Sequence, residues 1–172
     1  MSDSNNIYKI IVSGDGGVGK TTLVNTLIDK DENVKMTPGV NIEELKLDLG
    51  NHVKANIVLW DLGGQPQFRF LQEDFYDKAL IILLVFDLNR YSSFHNIEKD
   101  WLPIVKENKT LKNSYQILLG NKTDLEQCID EKFIQEFKNK YDLPYIKISA
   151  KEKKNINELK DLLCDIINSC KK

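Results

Sequence analysis

Apolar segments of strand length alternate along the chain with segments whose apolar residues recur at helical spacing. The strand-length segments predict strands at residues 8–13, 79–87, 115–120 and 145–149. Such an alternation is typical of βα units, in which parallel strands form a sheet and helices cover both of its faces. The sequence therefore predicts an α/β fold.

One pair of strands departs from the parallel pattern. Apolar and polar residues alternate over 45–49 and again over 53–59, and the turn dipeptide Gly50-Asn51 separates the two stretches. This arrangement predicts a hairpin. The expected fold is a three-layer sandwich with a six-stranded, mostly parallel sheet, one antiparallel strand and about five helices.

Several residues predict where helices begin, bend or end. Ser92 or Ser93 is expected to cap a helix, and Pro103 is expected to kink or end that helix. Asn155 and Glu158 resemble a capping box at the start of the last helix.

Apolar residues at helical spacing mark two further helices. Phe68, Leu71 and Phe75 predict a short helix before the buried strand at 79–87. Phe133 and Phe137 mark a later helix that precedes the last strand.

Length and charge indicate the number of domains and exclude some classes of function. The chain has 172 residues, of which 41% are hydrophobic and 29% charged, and these values fit one globular domain spanning 1–172. With 24 Lys and Arg against 26 Asp and Glu, the chain lacks the basic field that nucleic acid binding needs. No nucleic acid partner is expected, and the protein is expected to be a monomer.

Cysteines and the chain ends bear on localisation. Three cysteines, an odd number without metal-ligand spacing, favour a reducing compartment. The apolar run at 79–86 is far shorter than the ~20 residues that a membrane-spanning helix needs. The end Asn168-Ser169-Cys170-Lys171-Lys172 matches no prenylation motif. A cytoplasmic location is therefore expected, with no encoded lipid anchor and membrane association only through a partner or a tail beyond this sequence.

A glycine-rich motif lies between the first strand and the helix that follows it. The pattern G-x-x-x-x-G-K-[ST], in the strand-to-helix context that it requires, is formed by Gly14, Asp15, Gly16, Gly17, Val18, Gly19, Lys20 and Thr21. The backbone N–H groups of such a loop surround phosphates. Lys20 is expected to reach the β- and γ-phosphates, and the Thr21 hydroxyl is expected to bind Mg²⁺. The motif predicts a P-loop but does not name the nucleotide.

Two segments at the ends of later strands predict the base. Asp124, in Asn121-Lys122-Thr123-Asp124, can accept two parallel hydrogen bonds from N1–H and the exocyclic amine of guanine, a donor pair that adenine lacks. The N–H of Ala150, in Ser149-Ala150-Lys151, can donate to the guanine O6 atom. Each segment alone is a weak pattern, but both lie at the sheet edge where open α/β folds bind ligands.

Together these motifs resemble the small GTPases of the Ras superfamily, and the resemblance extends from Tyr8 to about Cys170. The P-loop sequence looks most like that of Rab proteins, whereas Trp60-Asp61-Leu62-Gly63-Gly64-Gln65 looks more like Arf and Gα proteins. The resemblance implies a GTP/GDP molecular switch of a signalling or vesicle-traffic type. Such a protein binds guanine nucleotide with Mg²⁺ and hydrolyses GTP slowly.

The resemblance also assigns roles to residues of two loops. Asp61 would hold Mg²⁺ through a water, Thr37 would bind Mg²⁺ when GTP is present, and the Gly64 N–H would contact the γ-phosphate. Loss of that phosphate is expected to relax residues 31–41 and 62–76. The implied nucleotide-binding residues are Gly14, Asp15, Gly16, Gly17, Val18, Gly19, Lys20, Thr21, Thr22, Thr37, Gly64, Asn121, Lys122, Asp124, Ser149, Ala150 and Lys151. The implied Mg²⁺ ligands are Thr21, Thr37 and Asp61.

Gln65 matches the glutamine that orients the attacking water in the superfamily. Pro66 follows Gln65 and biases its backbone away from helical geometry, which is expected to affect hydrolysis. Gα proteins carry a catalytic arginine before the position of Thr37, and this chain has none there. The resemblance therefore implies a GTPase-activating protein that supplies an arginine in trans, together with an exchange factor and effectors.

An effector surface is the last implied feature. In Rab proteins three aromatic residues form it, and the matching positions here are Ile42, Trp60 and Tyr76. Ile42 departs from the aromatic pattern, and Trp60 could equally be a core side chain.

Two alternatives to the switch remain open. One is a non-hydrolysing, GTP-loaded scaffold module, in which Pro66 disables Gln65. The other is a P-loop kinase or ATPase, which conflicts with the guanine-reading role of Asp124.

Overall fold

The computed structural model describes residues 7–31, 34–65 and 73–171. Six strands form one sheet in the order β2-β3-β1-β4-β5-β6. Only the β2–β3 pair is antiparallel, so the predicted mostly parallel sheet is confirmed. The strands are β1 (Ile7–Ser13), β2 (Val40–Asp48), β3 (Lys54–Leu62), β4 (Ile81–Asp87), β5 (Tyr115–Asn121) and β6 (Tyr145–Lys147).

Helices cover both faces of the sheet, which gives the three expected layers. One hydrophobic core joins α1 and α5 to one face, and a second joins α2, α3 and α4 to the other. The helices are α1 (Lys20–Leu27), α2 (Tyr91–Asn96), α3 (Leu102–Glu107), α4 (Glu131–Tyr141) and α5 (Ile156–Ser169), and shorter 3₁₀ turns cover Glu73–Tyr76 and Lys109–Leu111. The predicted short helix with Phe68 and Leu71 falls outside the described residues, except for the turn that contains Phe75.

Strand β4 lies in the middle of the sheet. All seven of its residues are buried. Ile81, Leu83 and Val85 belong to the core under α1 and α5, while the residues between them belong to the other core. Burial on both faces explains why this segment is uniformly apolar rather than alternating.

The hairpin turn is wider than the predicted Gly50-Asn51 dipeptide. Gly50, Asn51 and His52 all have positive φ angles, of 84°, 53° and 63°. The Leu49 N–H donates to the Val53 oxygen at 2.8 Å and closes the turn.

The helix after β4 begins and continues differently from the prediction. Its N-cap is Arg90, and Ser93 lies inside the first turn, where its hydroxyl accepts from the Asp87 N–H and donates to the Arg90 carbonyl. Pro103 does not end the helical region, which continues to Glu107. A π-helical segment, Ile97–Trp101, separates α2 from α3, and Pro103 lies in the first turn of α3, where a missing N–H costs little.

The predicted capping box of α5 is wrong. Asn155 adopts left-handed geometry with φ 58°, and its side chain donates to the Lys147 carbonyl instead of capping the helix. Helix α4 is the one with a side-chain cap, because Asp130 accepts from the Lys132 N–H at 2.9 Å.

None of the helices within the described ranges is long and apolar enough to cross a membrane.

Candidate functional site

The P-loop follows β1 at the carboxyl edge of the sheet. Gly14, Gly17 and Gly19 have φ angles of 143°, 77° and 97°, which side chains rarely tolerate. A Cβ at Gly14 would also collide with the carbonyl oxygen of Val85. Backbone geometry therefore requires glycine at 14, 17 and 19, and at Gly14 a side chain would also lack space.

Lys20 is buried beneath this loop. Its Nζ donates to the carbonyl oxygens of Gly14 at 2.9 Å and of Asp15 at 2.8 Å. Burial lowers the pKa of Lys20 to about 8, although the carboxylates of Asp61 and Asp15 act in the opposite direction. The lysine that is predicted to reach phosphates thus lies inside the loop, next to its backbone.

The three predicted Mg²⁺ ligands converge at the start of α1. The Thr21 hydroxyl donates to Asp61 Oδ2 at 2.5 Å and lies 2.8 Å from the Thr37 hydroxyl, which itself donates to Asp61 Oδ2 at 3.2 Å. Asp61 is fully buried, and its pKa is raised by that burial against the opposing hydrogen bond from Thr21.

These residues fit a divalent cation. Asp61 Oδ1 is buried and has no hydrogen-bond partner within the described ranges. A buried carboxylate oxygen without a donor, beside two hydroxyl oxygens, is a donor set that Mg²⁺ prefers. The described part of the chain contains no group of three His, Cys, Asp or Glu side chains that could hold a metal ion. A cation at Asp61 would therefore depend on hydroxyl and phosphate oxygens.

The two predicted switch segments contact each other and the P-loop. The Gly63 N–H donates to the Gly39 carbonyl at 2.6 Å. A Cβ at Gly64 would lie 2.5 Å from the Gly14 oxygen and would also collide with the backbone of Gly16. Glycine at 63 and 64 is what allows this close approach.

A cavity of about 360 Å³ opens between these segments. Gln65 lies on its wall, and the Gln65 side-chain amide donates to the Met36 sulfur. Thr22 is also on the wall, while Val18 is buried in the core. The other lining residues are Gly16, Gly17, Gly19, Lys20, Thr21, Val34, Lys35, Thr37, Asp61, Leu62, Gly63, Gly64 and Lys122.

The predicted base-reading residues meet beside the P-loop. The Ser149 hydroxyl donates to Asp124 Oδ1 at 2.5 Å, and this hydrogen bond holds the pKa of Asp124 below its usual value. The Ala150 N–H donates to Asn121 Oδ1 at 3.0 Å. Asp124 is thereby kept as a carboxylate that can accept hydrogen bonds, while Lys151 is exposed.

Lys122 and Asn121 connect this segment to the P-loop. Lys122 Nζ donates to the Gly17 oxygen at 2.8 Å and pairs with Asp87 at 2.7 Å. Asn121 Nδ2 donates to the Val18 oxygen at 2.9 Å. The base-reading segment and the phosphate loop are thus directly hydrogen-bonded.

Three hydrogen bonds of the P-loop could not be predicted from any sequence motif. The Asp15 carboxylate points towards the core that joins α2, α3 and α4 to the sheet. There it accepts from Trp101 Nε1 at 2.8 Å and from Asn96 Nδ2 at 2.6 Å. Arg90 donates to the Gly16 carbonyl at 2.7 Å. These partners lie more than 70 residues away along the chain, and no local pattern relates them to the loop.

The predicted effector surface needs one correction. Ile42 is 48% exposed and Trp60 is half-buried, but Tyr76 is fully buried, and its hydroxyl lies 2.5 Å from that of Ser13. Phe75 packs beside Trp60 instead, with 5.8 Å between ring centroids. Tyr76 points inward because neighbouring residues of a 3₁₀ turn face different directions.

Comparison with known proteins supports the same conclusion as the geometry. A family model described as "Ras family" matches residues 9–169. Ras-related protein Rab-27B from Homo sapiens is 32% identical over 178 residues, which cover 96% of this chain and 81% of the relative. Ras-related protein Rab-27A from Rattus norvegicus is 32% identical over 182 residues, which cover 97% and 82%. The chain therefore belongs to the Ras family, as a Rab-like small GTPase.

Proposed function

We propose that this protein, as a single G domain spanning residues 1–172, alternates between GTP- and GDP-bound states with Mg²⁺ and slowly hydrolyses GTP. The observation that carries the proposal is the convergence of Thr21, Thr37 and Asp61 beside the P-loop, with one buried oxygen of Asp61 unpartnered among the described residues. One hydroxyl comes from α1 and the other from the loop before β2. A cation here would therefore connect α1 and this loop to one nucleotide.

Phosphates would bind in the cavity between the P-loop and the two switch segments. The P-loop N–H groups and Lys20 would hold them, because an anion compensates the buried charge of Lys20. Mg²⁺, held by Thr21, Thr37 and Asp61 through a water, would neutralise further phosphate charge.

Guanine would bind at the neighbouring loops. The carboxylate of Asp124 would accept hydrogen bonds from N1–H and the exocyclic amine, while the Ala150 N–H would donate to O6. The low pKa of Asp124 supports this role, since only the ionised carboxylate accepts both hydrogen bonds.

Both switch segments would detect the γ-phosphate. Thr37 lies beside Thr21, one of the proposed Mg²⁺ ligands, and Gly64 lies against the P-loop, which supports a shared contact of both segments with this phosphate. Loss of the phosphate removes a shared contact, and both segments would relax together.

Gln65 would orient the attacking water. An activating protein would supply an arginine in trans, an effect worth roughly 10³ to 10⁵ in rate. An exchange factor would release GDP, and effectors that act in signalling or vesicle traffic would bind the surface that contains Ile42 and Trp60. We propose a monomer for the protein itself.

Single-turnover conversion of bound GTP to GDP, compared between the wild type and Gln65→Leu, tests this function. We expect measurable conversion in the wild type and a clearly slower rate in the variant, because the attacking water loses the side chain that orients it. Lys132→Gln, a neutralised exposed cation on α4, is the control and should hydrolyse like the wild type.

Absence of conversion in every protein, with GTP still bound, would contradict the proposal. That result would favour the GTP-loaded scaffold. The proline that follows Gln65 in the sequence, which biases the Gln65 backbone away from helical geometry, is the observation that favours this second function.

A further inference from the structure

Arg90 belongs to none of the sequence motifs, yet its side chain is bound to the phosphate loop. Its Nη2 donates to the carbonyl oxygen of Gly16 at 2.7 Å. Its Nη1 lies over Gly17, where an added Cβ would be 3.7 Å away. Gly16 and Gly17 line the cavity, whereas Arg90 does not. The guanidinium therefore binds the Gly16–Gly17 peptide through its carbonyl without forming part of the cavity wall.

The planarity of the peptide determines what this contact does. The carbonyl of Gly16 and the N–H of Gly17 belong to one trans peptide group, so they point in opposite directions. A carbonyl that Arg90 holds on the outside directs the Gly17 N–H towards the cavity. Arg90 thus controls the direction of a donor that it does not touch.

The next two carbonyls of the loop also accept hydrogen bonds from side chains, of which Lys122 is itself part of the cavity wall. Lys122 Nζ donates to the Gly17 oxygen at 2.8 Å, and Asn121 Nδ2 donates to the Val18 oxygen at 2.9 Å. Arg90 extends this row by one peptide. Three consecutive N–H groups are therefore oriented by side-chain donors that bind the carbonyls.

The peptide held by Arg90 adjoins the Asp15–Gly16 peptide, which contacts the second switch segment. An added Cβ at Gly64 would collide with the backbone of Gly16, so the two segments are in direct contact there. The Gly64 N–H is proposed above to contact the γ-phosphate. The Gly16–Gly17 peptide is the next one along the loop, so it lies beside the place where phosphoryl transfer and the growth of negative charge would occur.

We infer that Arg90 is a positioning residue for GTP hydrolysis, which acts by holding the Gly16–Gly17 peptide so that the Gly17 N–H faces the reacting phosphate. The guanidinium also polarises this amide and makes its N–H a stronger donor. A donor aimed at growing charge binds the transition state more tightly than the ground state, so it raises the rate more than the affinity. The inference rests on the hydrolysis proposed above.

The test compares Arg90→Ala, Arg90→Lys and the control Lys132→Gln, which also removes one positive charge but on the exposed surface of α4. For each protein, the single-turnover rate of GTP hydrolysis, the affinity for a fluorescent GDP analogue and the thermal midpoint are measured. We expect Arg90→Ala to lower the rate about tenfold to a hundredfold, the size expected for loss of a hydrogen bond to a charged group. GDP affinity should fall by a clearly smaller factor, and Lys132→Gln should match the wild type.

Arg90→Lys distinguishes positioning from packing. A lysine ammonium can donate to the Gly16 carbonyl but lacks the planar fork that also covers Gly17, so its rate should lie between those of the wild type and Arg90→Ala. An unchanged rate in Arg90→Ala, or rate and affinity that fall by the same factor, would overturn the inference while leaving the GTPase function intact. A wild type that binds GTP without hydrolysing it would overturn both together.

Discussion

At the scale of single residues, Lys20 is buried in surroundings that disfavour its protonated form. The side chain is 6% exposed, and its pKa is lowered to about 8, mainly by burial. In the unfolded chain the lysine keeps its proton to about pH 10.5, so burial of the charged form destabilises the ligand-free protein below pH 8. This cost is relieved between pH 8 and pH 10.5, or at lower pH by an anionic ligand.

Binding of GDP should therefore take up a proton near pH 8. At that pH about half of the Lys20 side chains in the ligand-free protein are neutral, and the phosphates favour the protonated form. Calorimetric titration in two buffers of different ionisation enthalpy should give an uptake on the order of 0.5 proton at pH 8 and about 0.1 at pH 7. Equal uptake at the two pH values would exclude Lys20 as the source.

At the scale of elements, helix irregularity supports the P-loop. The π-helical segment Ile97–Trp101 precedes Pro103, and Trp101 at its end reaches the Asp15 carboxylate at 2.8 Å. Asn96, at the end of α2, binds the other carboxylate oxygen. Because Asn96, just before the π-helical segment, and Trp101, at its end, both bind the Asp15 side chain, the loop is tied to the second core.

Replacement of Trp101 by Phe should loosen the P-loop. The ring is kept, but Asp15 loses one of its donors, which should cost about 1.5–3 kcal/mol of unfolding free energy. GDP dissociation should become faster, and urea unfolding with a fluorescent GDP release assay measures both effects. Trp60→Phe makes the same chemical change at a half-buried position outside the nucleotide site.

A dissociation rate that rises equally in both variants would show that the Asp15 contact has no specific effect on the loop. A rise confined to Trp101→Phe supports the structural link between the π-helical segment and the nucleotide.

At the scale of the whole molecule, nucleotide and metal should stabilise the fold. A ligand that binds only the native state at about a thousand times its dissociation constant adds roughly 4 kcal/mol. GDP with Mg²⁺ should therefore raise the thermal midpoint markedly, and chelation of Mg²⁺ should remove part of the increase, because Thr21 and Asp61 lose their shared ligand.

ADP is the matched control in the same scan. It keeps the phosphates but lacks the donor pair that Asp124 accepts. A midpoint increase with ADP as large as that with GDP would contradict the base-reading role of Asp124.

The global features of the fold could be predicted because they follow from local patterns. Uniform apolar runs mark strands buried on two faces, and alternation marks the hairpin. The P-loop, too, is a contiguous motif whose glycines have local geometric reasons.

Other features depend on contacts that no local pattern contains. Ser92 and Ser93 have cap-forming side chains, but the helix starts earlier because Ser93 binds backbone groups at 87 and 90. Tyr76 and Phe75 are adjacent in sequence, and Tyr76 is the one that packs in the core and contacts the distant Ser13. Arg90 and Asp15 likewise acquire their roles from distant neighbours.

The hydrogen bond from Gly63 to Gly39 continues the antiparallel ladder of β2 and β3 one step beyond the Val40 and Leu62 pair. The two switch segments therefore begin at the open end of the antiparallel β2–β3 ladder. Loss of the hydrogen bonds at this end of the ladder would separate both segments in a single event. A partner that binds only one of the two strands would therefore also stabilise the position of the other. A binding site on β2 alone would then respond to the state of the entire nucleotide site.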